Sequence, residues 1–170
     1  MLIVSWNVAS WPTTVRCIQS ERVFRMRLEH SWPPGTFGSV DIFMRRLRCD
    51  ILCLQETKAS RSLLQQQPAA AAAHLDGWDS FWSCNVTERS GFNGVCTYAR
   101  QGTTQEANAR PFGDRSLDDE GRALVTVHDG VAVINVYVPP PLTCEPFLCM
   151  HCMTPTGTSL AVAAKLKFAF

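Results

Sequence analysis

Two short apolar runs constrain this chain more than any other feature. Ile3-Val4-Ser5-Trp6 stops at Asn7, and Ile51-Leu52-Cys53-Leu54 stops at Gln55-Glu56-Thr57-Lys58. Each reads as a buried strand followed by a polar tip able to hold a metal, which is how α/β enzymes place chemistry at the edge of a sheet. The 170 residues suit one ordinary domain, and 46% hydrophobic against 18% charged residues is the balance of a core-forming chain. A net charge of +1 excludes a tail-driven, histone-like grip on nucleic acid, so any DNA contact needs a local basic patch.

No run approaches the ~20 apolar residues needed to span a bilayer. Met1-Leu2-Ile3-Val4 is too short for a signal peptide and no Lys or Arg precedes it. A soluble, intracellular protein with no membrane partner is expected, its thiols reduced. Of eight cysteines, Cys53 and Cys96 sit in strand-like apolar runs, where Cys acts as a small hydrophobe.

Along the chain, Leu2–Asn7 reads as a strand. The stretch 9–38 lacks a clean period and reads as loop or insertion around a short helix at Glu21–Glu29. Val40, Phe43, Met44 and Leu47 fall on one helical face, with Arg45, Arg46 and Arg48 outside it. Ile51–Glu56 is the second strand. Ser60–Gln67 resembles a helix start capped by Ser60. The Gln65–Gln67 and Ala69–Ala73 tracts read as a tolerated surface stretch. Further strands are expected at Asp79–Ser83, Gly94–Ala99, Ala123–His128 and Val131–Val138, the last two joined by an Asp129-Gly130 hairpin turn. Only Asn135 breaks that final apolar run, which Pro139-Pro140-Pro141 ends.

Five segments then carry a resemblance. They are Ser5-Trp6-Asn7-Val8, Asp50–Lys58, Ser90-Gly91-Phe92-Asn93-Gly94-Val95, Asp119-Glu120-Gly121-Arg122-Ala123-Leu124 and Ile134-Asn135-Val136-Tyr137-Val138-Pro139. In that order they resemble the exonuclease III-like apurinic/apyrimidinic endonucleases, class 2-type branch, of the endonuclease/exonuclease/phosphatase superfamily, over roughly the first 140 residues. The resemblance implies an α/β fold: a partial four-layer sandwich of the DNase I-like kind, lacking most of its second half. Residues 1–141 would form part of that domain, and 142–170 a divergent tail.

Phosphodiester hydrolysis needs a hard cation to neutralise charge on the phosphate, and Mg²⁺ prefers one or two carboxylates. The resemblance implies Mg²⁺, with Mn²⁺ as a substitute, gripped jointly at Asn7 and Glu56. Asn7 would supply an amide for a metal-bound water or a phosphate-side group. It implies that the Tyr137 hydroxyl steadies charge on the phosphate, that Arg122 and Lys58 bind backbone phosphates, and that Phe92 faces the DNA. The partner would be double-stranded DNA with an abasic site, incised on its 5′ side, with 3′ trimming in addition, in the nucleus or alternatively the mitochondrion. No motif names a protein partner. Read without the resemblance, Glu56 is a solvated acid, Asn7 a turn-former, Tyr137 a rim aromatic, Lys58 and Arg122 surface cations, and Phe92 a buried loop residue.

The family completes its site with a Gly-Asp-Leu-Asn segment and a later Ser-Asp-His. After Tyr137 this sequence has no Asp, and its only His is His151. Weak stability, an apolar face left open and little or no nuclease activity are expected for the chain as it stands. Rival readings are a retroelement-type endonuclease, a phosphatase of the same superfamily, or a fragment without catalysis. Cys144, Cys149, His151 and Cys152 offer zinc-type donors, but no second pair follows.

Overall fold

The structure, a computed structural model, describes residues 1–19, 24–25, 31–32, 39–67 and 69–138. In chain order the elements are β1 (Ile3–Asn7), α1 (Trp11–Gln19), β2 (Phe24–Arg25), β3 (Ser31–Trp32), α2 (Val40–Leu47), β4 (Ile51–Gln55), a 3₁₀ turn (Leu63–Gln65) and α3 (Ala69–Ala73). They continue with β5 (Trp78–Ser83), β6 (Val95–Arg100), β7 (Thr104–Asn108), α4 (Arg115–Asp118), β8 (Ala123–His128) and β9 (Val131–Val136).

Four strands form a mixed sheet in the order β1-β4-β6-β5, and three form an antiparallel sheet in the order β7-β8-β9. β1 and β4 run parallel, with Asn7 opposite Gln55, so both tips reach the same edge. β4 is buried along its whole length, which is why its apolar run is continuous rather than alternating. Leu52 and Leu54 pack with Trp11, Val15, Ile18, Phe43 and Met44 of the helices. Ile51 and Cys53 point the other way, against Ala99, Val131 and Val133, and join the two sheets. The described residues thus build three layers: helices, four-stranded sheet, three-stranded sheet. Each large side chain withdrawn from water in these layers contributes about 1.5–3 kcal/mol.

Val40–Leu47 is a helix with the expected bounds. Ser39 Oγ accepts the Ile42 amide at 3.2 Å, and left-handed Arg48 closes it. Other expectations need correction. The loop expected after Asn7 is helical over Trp11–Gln19: Trp11, Thr14, Val15 and Ile18 are buried at helical spacing. Ser10 caps it, accepting the Thr14 amide on its carbonyl at 2.9 Å, and Pro12 falls in the first turn, where no helical N–H bond is lost. The expected helix at Glu21–Glu29 lies mostly outside the described residues, and Phe24–Arg25 within it is extended, paired with Ser31–Trp32. Ala69–Ala73 is no surface tract: Ala69, Ala72 and Ala73 are buried, and small side chains let that helix lie close to its neighbours. Ser60 Oγ does accept the Leu63 amide at 3.2 Å, but only a 3₁₀ turn follows. Strand β7 has no signature in the sequence, because Thr-Gln-Glu-Ala-Asn carries no apolar alternation. In β9, Val131, Ala132, Val133 and Asn135 are buried but Ile134 and Val136 only half-buried, so double-sided burial is incomplete among the described residues. The tail 142–170 lies outside them, and no described helix is long and apolar enough to cross a membrane.

Two details of this frame are open to direct measurement. His128 is buried at the end of β8, its ring nitrogens 2.9 Å from Thr126 Oγ1 and 3.4 Å from Thr104 Oγ1. Burial pushes its pKa below the ordinary 6.5, against a smaller opposing contribution from the Thr103 backbone. The fold therefore favours neutral imidazole: stability is full above about pH 6.5 and falls as pH drops below it. The urea midpoint should decrease from about pH 7.5 to about pH 5.5 more steeply for the parent than for His128→Gln. Gly121, at φ +66°, packs its α-carbon on the Cys84–Asn85 backbone, where an added Cβ collides with peptide atoms. Gly77, at φ +78°, faces open space. Gly77→Ala should cost only the left-handed backbone, about 1–2 kcal/mol. Gly121→Ala should cost about 1–3 kcal/mol more in the same unfolding experiment.

Candidate functional site

The parallel pairing of β1 and β4 carries both chain tips to one rim. Val8 N–H bonds the Gln55 carbonyl at 3.0 Å, and Trp11 N–H bonds the Thr57 carbonyl at 2.8 Å. From the other side, Thr57 and Lys58 donate their amides to the carbonyls of Gly94 and Asn93, at 3.0 and 2.8 Å. Gly94, at φ +85°, lies so close to Thr57 that any side chain would strike Thr57 Oγ1. Ala9, Glu56, Lys58 and Asn93 all hold left-handed φ values between 50° and 56°, and Arg48 is the only other described non-glycine residue that does. Such strain persists where surrounding contacts over-determine the backbone, and here it gathers at one edge.

Glu56 is the hub. Its Oε1 accepts the Asn7 amide N–H at 2.8 Å, and its Oε2 lies 3.7 Å from the Lys58 ammonium. Asn7 Oδ1 in turn accepts the Ala9 amide at 3.0 Å, which fixes which end of the amide faces the carboxylate. The Tyr137 hydroxyl lies near enough to the same carboxylate to feel its charge. Burial, then the nearby Glu56 carboxylate, push the Tyr137 pKa up to about 12, against a smaller effect of Arg122. Tyr137 is therefore a neutral donor at physiological pH.

Arg122 sits with its guanidinium 5.7 Å from the Tyr137 ring centroid, in cation–π range. It is ion-paired with Glu120, and its carbonyl accepts the Tyr137 amide at 2.8 Å. Its Nη1 is buried without a hydrogen-bond partner. Phe92 projects from the Arg89–Gly94 loop and is 60% exposed, so the reading of it as a buried loop residue does not hold. Asn93 Nδ2 reaches the Glu120 carbonyl at 3.3 Å and ties that loop to the Arg122 segment. A shallow groove of about 250 Å³ runs alongside, lined by Phe112, Leu117, Arg122, Val136, Tyr137 and Val138.

Asn7 and Lys58 thus meet at Glu56, with Tyr137 within reach of its charge, Arg122 beside the Tyr137 ring and Phe92 on the adjoining loop. Among the described residues no group of three or more His, Cys, Asp or Glu gathers to hold a metal. A lone carboxylate beside an amide still fits Mg²⁺, which keeps most of its waters and takes one or two protein carboxylates plus substrate phosphate. Two buried residues belong to the site without having been assigned a role in it. Gln55 precedes Glu56, and Asn135 lies two residues before Tyr137. The sequence signal for the second was a lone amide interrupting an apolar run.

No protein-family model matches the chain. The DNA-(apurinic or apyrimidinic site) endonuclease 2 of Xenopus laevis is 32% identical over an alignment covering 82% of this chain and 28% of the relative. That of Mus musculus is 34% identical, covering 81% of this chain and 30% of the relative. The chain therefore spans under a third of the length of these relatives. Among solved structures, the AP endonuclease of Leishmania major superposes with a TM-score of 0.51 at 23% identity, over 80% of this chain and 39% of that one, which establishes a shared fold. Over about four-fifths of its own length the chain is similar to AP endonuclease 2 proteins, and it carries part of the DNase I-like fold.

Proposed function

We propose that this chain supplies the cation-holding and phosphate-contacting rim of a metal-dependent endonuclease of base-excision repair. The whole protein would hydrolyse the DNA backbone 5′ to an abasic site, with 3′ exonuclease or phosphodiesterase action in addition. The relatives' names support the reading, and one observation carries it: Asn7, Lys58 and Tyr137 converge on the single carboxylate of Glu56 at a sheet edge.

Glu56 would hold Mg²⁺, or Mn²⁺ in its place. When bound, the cation would neutralise charge on the scissile phosphate. Asn7 orients the carboxylate through its N–H. Tyr137, kept protonated, can turn its hydroxyl toward a phosphate oxygen as charge builds there. Lys58, 3.7 Å from the carboxylate, would pair with backbone phosphate when a cation occupies Glu56. Arg122 presents a buried N–H with no partner in the protein, suited to a phosphate oxygen. Phe92 would lie against the duplex. Nuclear location follows the same reading, with residues 1–141 as part of the catalytic domain and 142–170 as a divergent tail.

The sequence after Tyr137 carries no Asp to orient the attacking water, so incision by this chain should be strongly reduced. Binding is the better assay. A duplex with one abasic site should bind more tightly than the intact duplex in Mg²⁺, should lose that preference in EDTA, and should weaken as salt rises. Glu56→Gln should abolish the metal dependence. Equal affinity with and without metal, or a preference untouched by Glu56→Gln, would contradict the proposal.

A further inference from the structure

The interface between the two sheets is apolar where Ile51, Cys53, Ala99, Val131 and Val133 meet, yet it closes toward the rim on a pair of amides. Gln55 is fully buried, and Asn135 is 2% exposed. Gln55 Nε2 donates to Asn135 Oδ1 at 2.7 Å and to Ser5 Oγ at 3.2 Å. Asn135 Nδ2 donates to the carbonyls of Leu54 and Cys96, at 3.2 and 2.8 Å, and lies 3.4 Å from Thr97 Oγ1. One side chain of β9 therefore grips two strands of the opposite sheet, and a third strand is reached through Gln55 and Ser5.

Apolar contacts alone would tolerate sliding of one sheet on the other. Hydrogen bonds do not, because they weaken steeply outside a narrow range of distance and angle. A buried polar pair of this kind adds little stability over well-packed hydrophobes, and its best-attested use is to fix a register. The register fixed here is that of the two site residues. Glu56 follows Gln55 directly. Tyr137 follows the end of β9, two residues after Asn135. Tyr137 and Glu56 are therefore set across the same two sheets, one step nearer the solvent than the amide pair.

We propose that Gln55 and Asn135 are positioning residues, whose cross-sheet bond sets the distance between Tyr137 and Glu56 and so the cation affinity of the rim. The affinity part rests on the function proposed above; the distance part does not. The chain has two tyrosines, Tyr98 and Tyr137, so 3-fluorotyrosine labelling gives two ¹⁹F resonances, assigned with Tyr98→Phe. Gln55→Met and Asn135→Leu should each move the Tyr137 resonance toward its position in Glu56→Gln. In Mn²⁺ titrations followed by electron paramagnetic resonance, each should weaken binding by about tenfold or more, as loss of an outer-shell partner does. Val133→Ala, which thins the same interface without touching the amides, should lower stability and leave both readouts in place. Where a core variant does not fold, Ser5→Ala, at an exposed position, removes a partner of Gln55 and should shift both readouts in the same direction by less. A Tyr137 resonance unmoved in the folded variants, or moved as far by Val133→Ala, would overturn the positioning role. Mn²⁺ affinity unchanged by Glu56→Gln would instead sink the cation reading, with the fluorine shifts still deciding the geometry.

Discussion

The parallel ladder between Ile3–Asn7 and Ile51–Gln55 is the constraint from which the rest of the rim follows. Parallel strands end on the same edge, so Asn7 and Glu56, 49 positions apart in sequence, come within hydrogen-bond distance without any special loop. Residues between them supply the crossover, and helices α1 and α2 cover the sheet face that the crossover creates. Had the two strands been antiparallel, the tips would lie at opposite ends of the sheet and no shared chemistry would be available to them.

Around that edge the backbone is unusually tied. The carbonyls of Gln55, Thr57, Asn93 and Gly94 are all consumed in loop-to-loop hydrogen bonds. These bonds hold Glu56 and Lys58 in left-handed conformations that cost an ordinary residue about 1–3 kcal/mol each. The carboxylate is held in place by the Asn7 amide on one oxygen and the Lys58 ammonium near the other.

Much of this was legible in the sequence because the physical signals were strong. The runs at Ile3–Trp6 and Ile51–Leu54 both end at polar residues, and β4, buried on both faces, has no choice but to be uniformly apolar; β1, expected to be buried as well, is only half-buried, with Ser5 exposed. The helical face of Val40, Phe43, Met44 and Leu47 and the Asp129-Gly130 hairpin turn were equally clear. What escaped notice had weaker or misleading signals. Trp11-Pro12 looks like a break, yet proline in the first helical turn sacrifices no hydrogen bond. The alanine tract looks like filler, yet its small side chains are what a close helix–sheet contact requires. Strand β7 is a polar edge, held by backbone pairing to β8 and not by side-chain burial. At the site, the six named residues do gather along one rim, but Asn7 faces Glu56 with its N–H rather than its carbonyl oxygen, a tautness of geometry no spacing could disclose. The amide clasp of Gln55 and Asn135 was visible only as an interruption.

The central claim is that Glu56 and Asn7 together form a seat for a divalent cation. Crystals of the chain grown with Mn²⁺ and measured at the manganese absorption edge test it most directly. The account predicts an anomalous peak within coordination distance of the Glu56 carboxylate, with Lys58 turned away and the Asn7 amide still against the carboxylate. A saturated crystal whose anomalous density lies elsewhere, with Lys58 still paired to Glu56, would contradict it.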